Sequence, residues 1–146
     1  MASRSVPHGV LTAAPFNTEV FCLGAALSAV LDVTDPYIEI LEPAVYQASG
    51  VVTWGSTVNA GSREIRIDRF DSSDTFLETI AYVSHGQQES ENPSSVAFLA
   101  DAGDRIRLTA FHATGFTETI TDDGSRAHLE VVYVRPIGVD GEAYGS

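Results

Sequence analysis

Residues 95–111, SVAFLADAGDRIRLTAF, constrain the fold more than any other run in the sequence. Val96, Phe98 and Leu99 are apolar before the short Ala102-Gly103-Asp104 corner. After the corner Ile106, Leu108 and Ala110 alternate with Arg105, Arg107 and Thr109. A period of two is the mark of a strand with one buried and one polar face. Gly103 takes positive φ without steric cost, and Asp101 and Asp104 suit a turn through side-chain-to-backbone hydrogen bonds. The pattern predicts two strands joined as a central hairpin, with Ile106 and Leu108 in the core.

Similar signals recur along the chain. Residues 37–41 predict a short strand with Ile38 and Ile40 on one face. Residues 44–56 predict a long one. There Tyr46, Ala48, Gly50, Val52 and Trp54 mix large and small side chains as a core face does, while Val45, Gln47, Ser49, Val51 and Thr53 face solvent or a partner. Residues 63–70 alternate with Ile65 and Ile67 inward, and 76–83 follow after an acidic turn. Residues 84–94 read as a polar loop, 116–120 as a short strand, and 126–134 as the last strand, with Leu129, Val131 and Tyr133 on one face. In residues 19–33, 20–23 prefer a strand and 25–31 could form a short helix, with Gly24 breaking the run between them; the favoured reading is a strand followed by a strand or irregular segment. Some eight or more short strands with almost no helix predict a β-sandwich or barrel. At 146 residues the chain makes one domain with a real core. Its divisions are an N-terminal arm over 1–18, a body over 19–136 and a Gly-rich tail over 137–146. The arm has two readings: a disordered terminus, or a segment that orders against a neighbouring subunit.

Charge narrows the partners. The net charge of −12 opposes binding to nucleic-acid phosphates, which needs basic residues. All eight basic residues are Arg, reflecting either interface use of a rigid bidentate group or genomic base composition. The lone Cys22 sits among apolar neighbours and reads as a buried thiol without a disulfide partner. No signal-peptide pattern opens the sequence, and residues 21–33 are too short to span a bilayer. These features predict a protein made in a cytoplasm, with no membrane partner.

Four pieces, in order, resemble the C1q/tumour-necrosis-factor-like jelly-roll superfamily: VYQASGVVTW (45–54), GSREIRI (61–67), SVAFLADAGDRIRL (95–108) and SRAHLEVVYV (125–134). The Ala-Gly-Asp corner with its alternating strand is the most specific of them, and the match covers about two-thirds of the chain. The resemblance, which does not extend to the first 40 residues, implies an all-β antiparallel jelly-roll β-sandwich assembled as a compact homotrimer, to which the reading of residues 1–18 adds an extended N-terminal arm. No Gly-X-Y stalk accompanies it. With Ile106, Leu108 and Ala110 inward, Arg105, Arg107 and Phe111 form an outward face suited to a subunit contact. The other reading of that face is cover by the chain's own N-terminal segment. Tyr133 is read as either core or interface.

Catalytic signals are absent from the sequence. His8, His85, His112 and His128 make no HxH or HExxH spacing, which disfavours a metal-binding cupin. There is no phosphate loop or serine elbow. Asp68, Asp71 and Asp74 read as a solvated acidic turn, with calcium binding the weaker alternative because the Asp-x-Asp-x-Asp-Gly loop is missing. The expectation is therefore a non-enzymatic protein with no catalytic, cofactor or metal residues. More specifically, it is a trimeric capsid decoration protein on the surface of a phage-type virion, docking to the major capsid protein or another virion protein through its arm. The alternative is a receptor- or glycan-binding tip module of a tail fibre.

Overall fold

The computed structural model describes residues 2–7, 9–10, 12–14, 26–30, 35–54, 63–85, 90–91, 93–113, 118–122 and 128–137. Cys22, the 57–62 turn, the Asp123-Gly124 pair and nearly all of the 137–146 tail lie outside the described residues. The described strands are β1 (Ala2–Val6), β2 (Thr12–Ala13), β3 (Leu27–Val30), β4 (Tyr37–Ile40), β5 (Ala44–Trp54), β6 (Arg63–Phe70), β7 (Phe76–His85), β8 (Ser90–Glu91), β9 (Phe98–Ala100), β10 (Arg105–His112), β11 (Glu118–Asp122) and β12 (His128–Arg135). No described residue is helical.

Two antiparallel sheets form. One is built on β5, which pairs β12 from Val45 to Val51, β11 at Thr53–Trp54, β9 at Ala44–Tyr46 and β8 at Val52–Thr53; β1 extends it along β11. The other runs β3-β4-β10-β6-β7, with β2 also on β10. Between them lies a core that includes Tyr46, Val52 and Trp54 from β5, Ile65 and Ile67 from β6, Ile106, Leu108 and Ala110 from β10, and Leu129 and Val131 from β12. Each buried isoleucine or leucine contributes on the order of 1.5–3 kcal/mol of transfer free energy. The alternation predicted for β5, β6 and β10 thus sets which face each strand buries.

The expected central hairpin does not form. β9 pairs with β5 in one sheet, whereas β10 pairs with β4 and β6 in the other. The corner between them is a crossover joining the two sheets. It is pinned to β4 rather than to itself: Gly103 N–H donates to Ile40 O at 2.7 Å, and Ile40 N–H donates to Asp104 O at 2.8 Å. Gly103 has φ +92°, and a Cβ there would meet Ser72 Cβ at 3.3 Å. Local alternation identifies two strands and a turn, but it carries no information on which sheet each strand joins.

Two further expectations change. Val45, on the side of β5 expected to face outward, is buried. The polar stretch 84–94 is not a loop throughout: β7 extends to His85, and Ser90–Glu91 pairs with Val52–Thr53. At the N-terminus, β1 pairs over its whole length with the chain's own β11, and Val6 is fully buried. His112 Nε2–H donates to the Val6 carbonyl, tying β1 to β10.

Candidate functional site

The four expected contact residues divide between the two sheets. Arg105, Arg107 and Phe111 lie on the outward face of β10. Tyr133 lies on β12 in the other sheet and packs edge-on against buried Tyr46, with ring centroids 5.8 Å apart at 85°. The set is therefore not one surface. The Tyr46 hydroxyl donates to the Glu42 carbonyl. Desolvation, with added repulsion from Glu42 and Tyr133, pushes its pKa up to about 12, so Tyr46 stays a neutral donor across physiological pH.

Arg105 and Arg107 turn back onto their own chain. The β6–β7 turn brings Asp74 over β10, where Arg105 Nη1 and Arg107 Nη2 both donate to Asp74 Oδ1 at 2.8 Å. Asp74 has φ +65°, rare for a residue with a Cβ. The turn beneath it is held by Asp71 Oδ1, which accepts from Ser73 N–H and Thr75 N–H. Burial alone would raise the Asp74 carboxyl, but hydrogen bonds and charge from Arg107 and Arg105 more than reverse this and hold it below its ordinary value. The Tyr37 ring receives both guanidinium groups, with centroid distances of 4.6 Å to Arg105 and 5.0 Å to Arg107, and Arg107 also stacks on Phe70 at 4.8 Å.

Next to this cluster, Asp68 is almost fully buried. It accepts from Arg66 Nη2 at 2.9 Å and from the Thr79 hydroxyl at 2.7 Å. The three aspartates expected as an acidic turn thus face different partners: Asp68 takes Arg66, Asp74 takes Arg105 and Arg107, and Asp71 caps its own turn. They do not converge on a common point, and the described residues contain no cluster of three or more His, Cys, Asp or Glu able to hold a metal. Of the histidines, His112 is buried edge-on against Trp54, with centroids 5.9 Å apart.

The Arg66–Asp68 and Arg107–Asp74 pairs help line a basin of about 590 Å³ on the outward side of the β10 sheet. Arg107, Thr109 and Asp68 form its buried part, while Phe70, Phe76 and Arg66 contribute aromatic and cationic wall. The opposite sheet differs in character. Its outward side carries an apolar strip in which Leu99 is 46% and Val134 37% exposed, with Val45 paired to Leu99 and Val96, 79% exposed, close by. Leu99 and Val96 also border a groove of about 530 Å³ shared with Glu78 and Ile80 of β7.

Sequence reasoning singled out Arg105 and Arg107 but not their partners Asp74, Tyr37 and Phe70. A signal was present: two outward arginines at i and i+2 need acceptors, and the acidic run DRFDSSD precedes β7 in the same sheet. Arg63 was also missed as a core residue. It shares the phase of Ile65 and Ile67 and is buried with its guanidinium 5.6 Å from the Trp54 ring centroid.

No family model and no curated protein matches the sequence. Solved structures do match the fold. A structure of Eiger TNF from S. frugiperda superposes with a TM-score of 0.57 at 12% identity, covering 75% of this chain and 71% of that one. Murine APRIL at pH 5.0 superposes with a TM-score of 0.56 at 11% identity, covering 90% and 98%. At this identity the likeness concerns the fold: an all-β, TNF-like jelly roll.

Proposed function

We propose that this TNF-like jelly roll is a non-enzymatic structural and interaction protein that assembles as a homotrimer and decorates a phage-type capsid. The observation that carries self-assembly is the exposed apolar strip of Leu99 and Val134 on the β5 sheet, flanking buried Val45, with Val96 beside it. Large apolar side chains gathered on one outward sheet face mark an interaction surface more often than scattered exposure does. Arg105 and Arg107 favour the β10 face less, because both are already committed to Asp74. Phe111, on the same β10 face as these arginines, is likewise outside the proposed contact. Tyr133 lies in the sheet that carries the strip and supports it from the core side. The acidic, Lys-free body is the support for the virion role, since β1 of the arm is already paired within its own chain. The test is co-sedimentation of purified protein with assembled capsid shells. Saturable, stoichiometric binding is expected, and failure to bind any shell overturns the decoration role.

A tip module that binds receptors or glycans is the second reading. In its favour is a small hollow of about 170 Å³ lined by Gln47, Ser49, Ser94, Ser95 and Glu130, groups able to pair with sugar hydroxyls. Saturable sugar binding without shell affinity would select it.

A further inference from the structure

The basin over β10 has donors that the chain does not satisfy. A guanidinium carries five N–H groups. Arg105 and Arg107 each spend one on the same oxygen of Asp74. Arg107 is 8% exposed, and its Nε is buried with no acceptor among the described residues. Thr109, two residues further along the same face, is 7% exposed and lines the same basin, where its hydroxyl can donate to a ligand acceptor. A buried donor without an acceptor costs about 1–3 kcal/mol, and a ligand acceptor placed there recovers part of it. Asp68 does not fill this role, because Arg66 and Thr79 already hold it.

We propose that this basin binds a small monocarboxylate carrying an aromatic or branched apolar body. Arg107 and Thr109 face the carboxylate, a match in which guanidinium and carboxylate pair in a plane. Phe70 and Phe76, whose rings meet edge-on at 5.8 Å, receive the apolar body. The volume of about 590 Å³ lies in the range of small-molecule sites. Asp35, Asp68 and Asp74 also line the basin and repel any anion; Arg66 and Arg107 offset Asp68 and Asp74, so a doubly charged phosphate or dicarboxylate is repelled more than a monocarboxylate. The positioning of Arg107 is built in: Tyr37 and Phe70 stack on it and Asp74 anchors it, so little side-chain freedom is lost on binding.

The test is titration of the full chain with phenylacetate, followed by two-dimensional NMR, with phenethylamine as the cationic control of similar shape. Saturable binding with a dissociation constant below about 1 mM is expected, with shifts centred on residues 66–76 and 105–109. Phenethylamine is expected to bind at least roughly tenfold more weakly. Thr109→Val, which keeps the side-chain shape, and Arg107→Met are each expected to weaken phenylacetate by roughly tenfold. If Arg107→Met does not fold, Thr109→Val and the amine control decide. No saturable shift up to about 10 mM, equal binding of the amine, or unchanged binding by Thr109→Val overturns the assignment.

Discussion

A Cβ placed on Gly50 would lie 2.8 Å from Leu108 Cδ1 and 3.1 Å from the His128 carbonyl oxygen. Leu108 of β10 fills the space that a side chain at this position of β5 would occupy. The alternation of large and small along β5 is therefore a packing requirement. Gly50→Ala should destabilise the fold by about 1–2 kcal/mol, the overpacking cost less the gain from replacing a strand glycine. Gly50→Val should cost more, and Gly50→Ala with Leu108→Val should recover part of the loss. Thermal unfolding reads this as a fall of about 2–4 °C for each kcal/mol in a chain of this size.

The crossover corner depends on Asp104. Its Oδ2 accepts from Asp101 N–H at 2.9 Å and from Arg69 Nη1, while Arg69 also binds Glu78. Burial lowers the Arg69 pKa, but these two carboxylates outweigh it and raise the value, so the guanidinium keeps its charge at high pH. Asp104→Ala leaves the part-buried Asp101 N–H and one arm of Arg69 without acceptors. Chemical denaturation should show a loss of about 2–3 kcal/mol. Asp101→Ala, which keeps the backbone donor, should lose well under half of that.

Asp74 gives the fold a dependence on acid. Its carboxyl is held below the ordinary value, so the stability it contributes is present above the unfolded pKa of about 4 and is lost as pH falls through the folded value. Asp74→Asn should be less stable than the parent at pH 7, and the gap should close below about pH 4. Stability curves of both proteins between about pH 2 and 7 check it. A constant gap would mean that the arginine pairs with Asp74 contribute nothing net. Arg107→Glu, by contrast, is a poor probe of assembly, because the new carboxylate would face Asp74 and Asp68 and unsettle the monomer first.

What the sequence makes legible is the part governed by period and volume. Ile65 and Ile67, Ile106 and Leu108, and the Tyr46-to-Trp54 face all lie in the core because alternation fixes a strand's faces. Partner choice is not written locally. The run 98–112 reads the same whether its strands pair with each other or part to different sheets. The hydrogen bonds of Gly103 and Asp104 to Ile40, more than sixty residues earlier, mark the crossover. The Arg105 and Arg107 face is a second case. Its outward phase is visible, but its closure by Asp74 depends on a turn with φ +65° that composition does not announce.

If the strip on the β5 sheet is the subunit contact, a charge within it should separate subunits without unfolding them. Leu99→Asp changes a side chain that is 46% exposed in the single chain, so the fold itself should lose less than about 1 kcal/mol. Its oligomer should dissociate at concentrations where the parent stays assembled. Phe111→Asp, on the opposite sheet, should leave the oligomer intact.

The most direct measurement of the account is the mass of the native particle, by sedimentation equilibrium or native mass spectrometry of the full chain at about 10 μM, a concentration at which a sub-micromolar contact is saturated. The account predicts the mass of three chains for the parent and of one chain for Leu99→Asp. A parent that sediments as a single chain would contradict it.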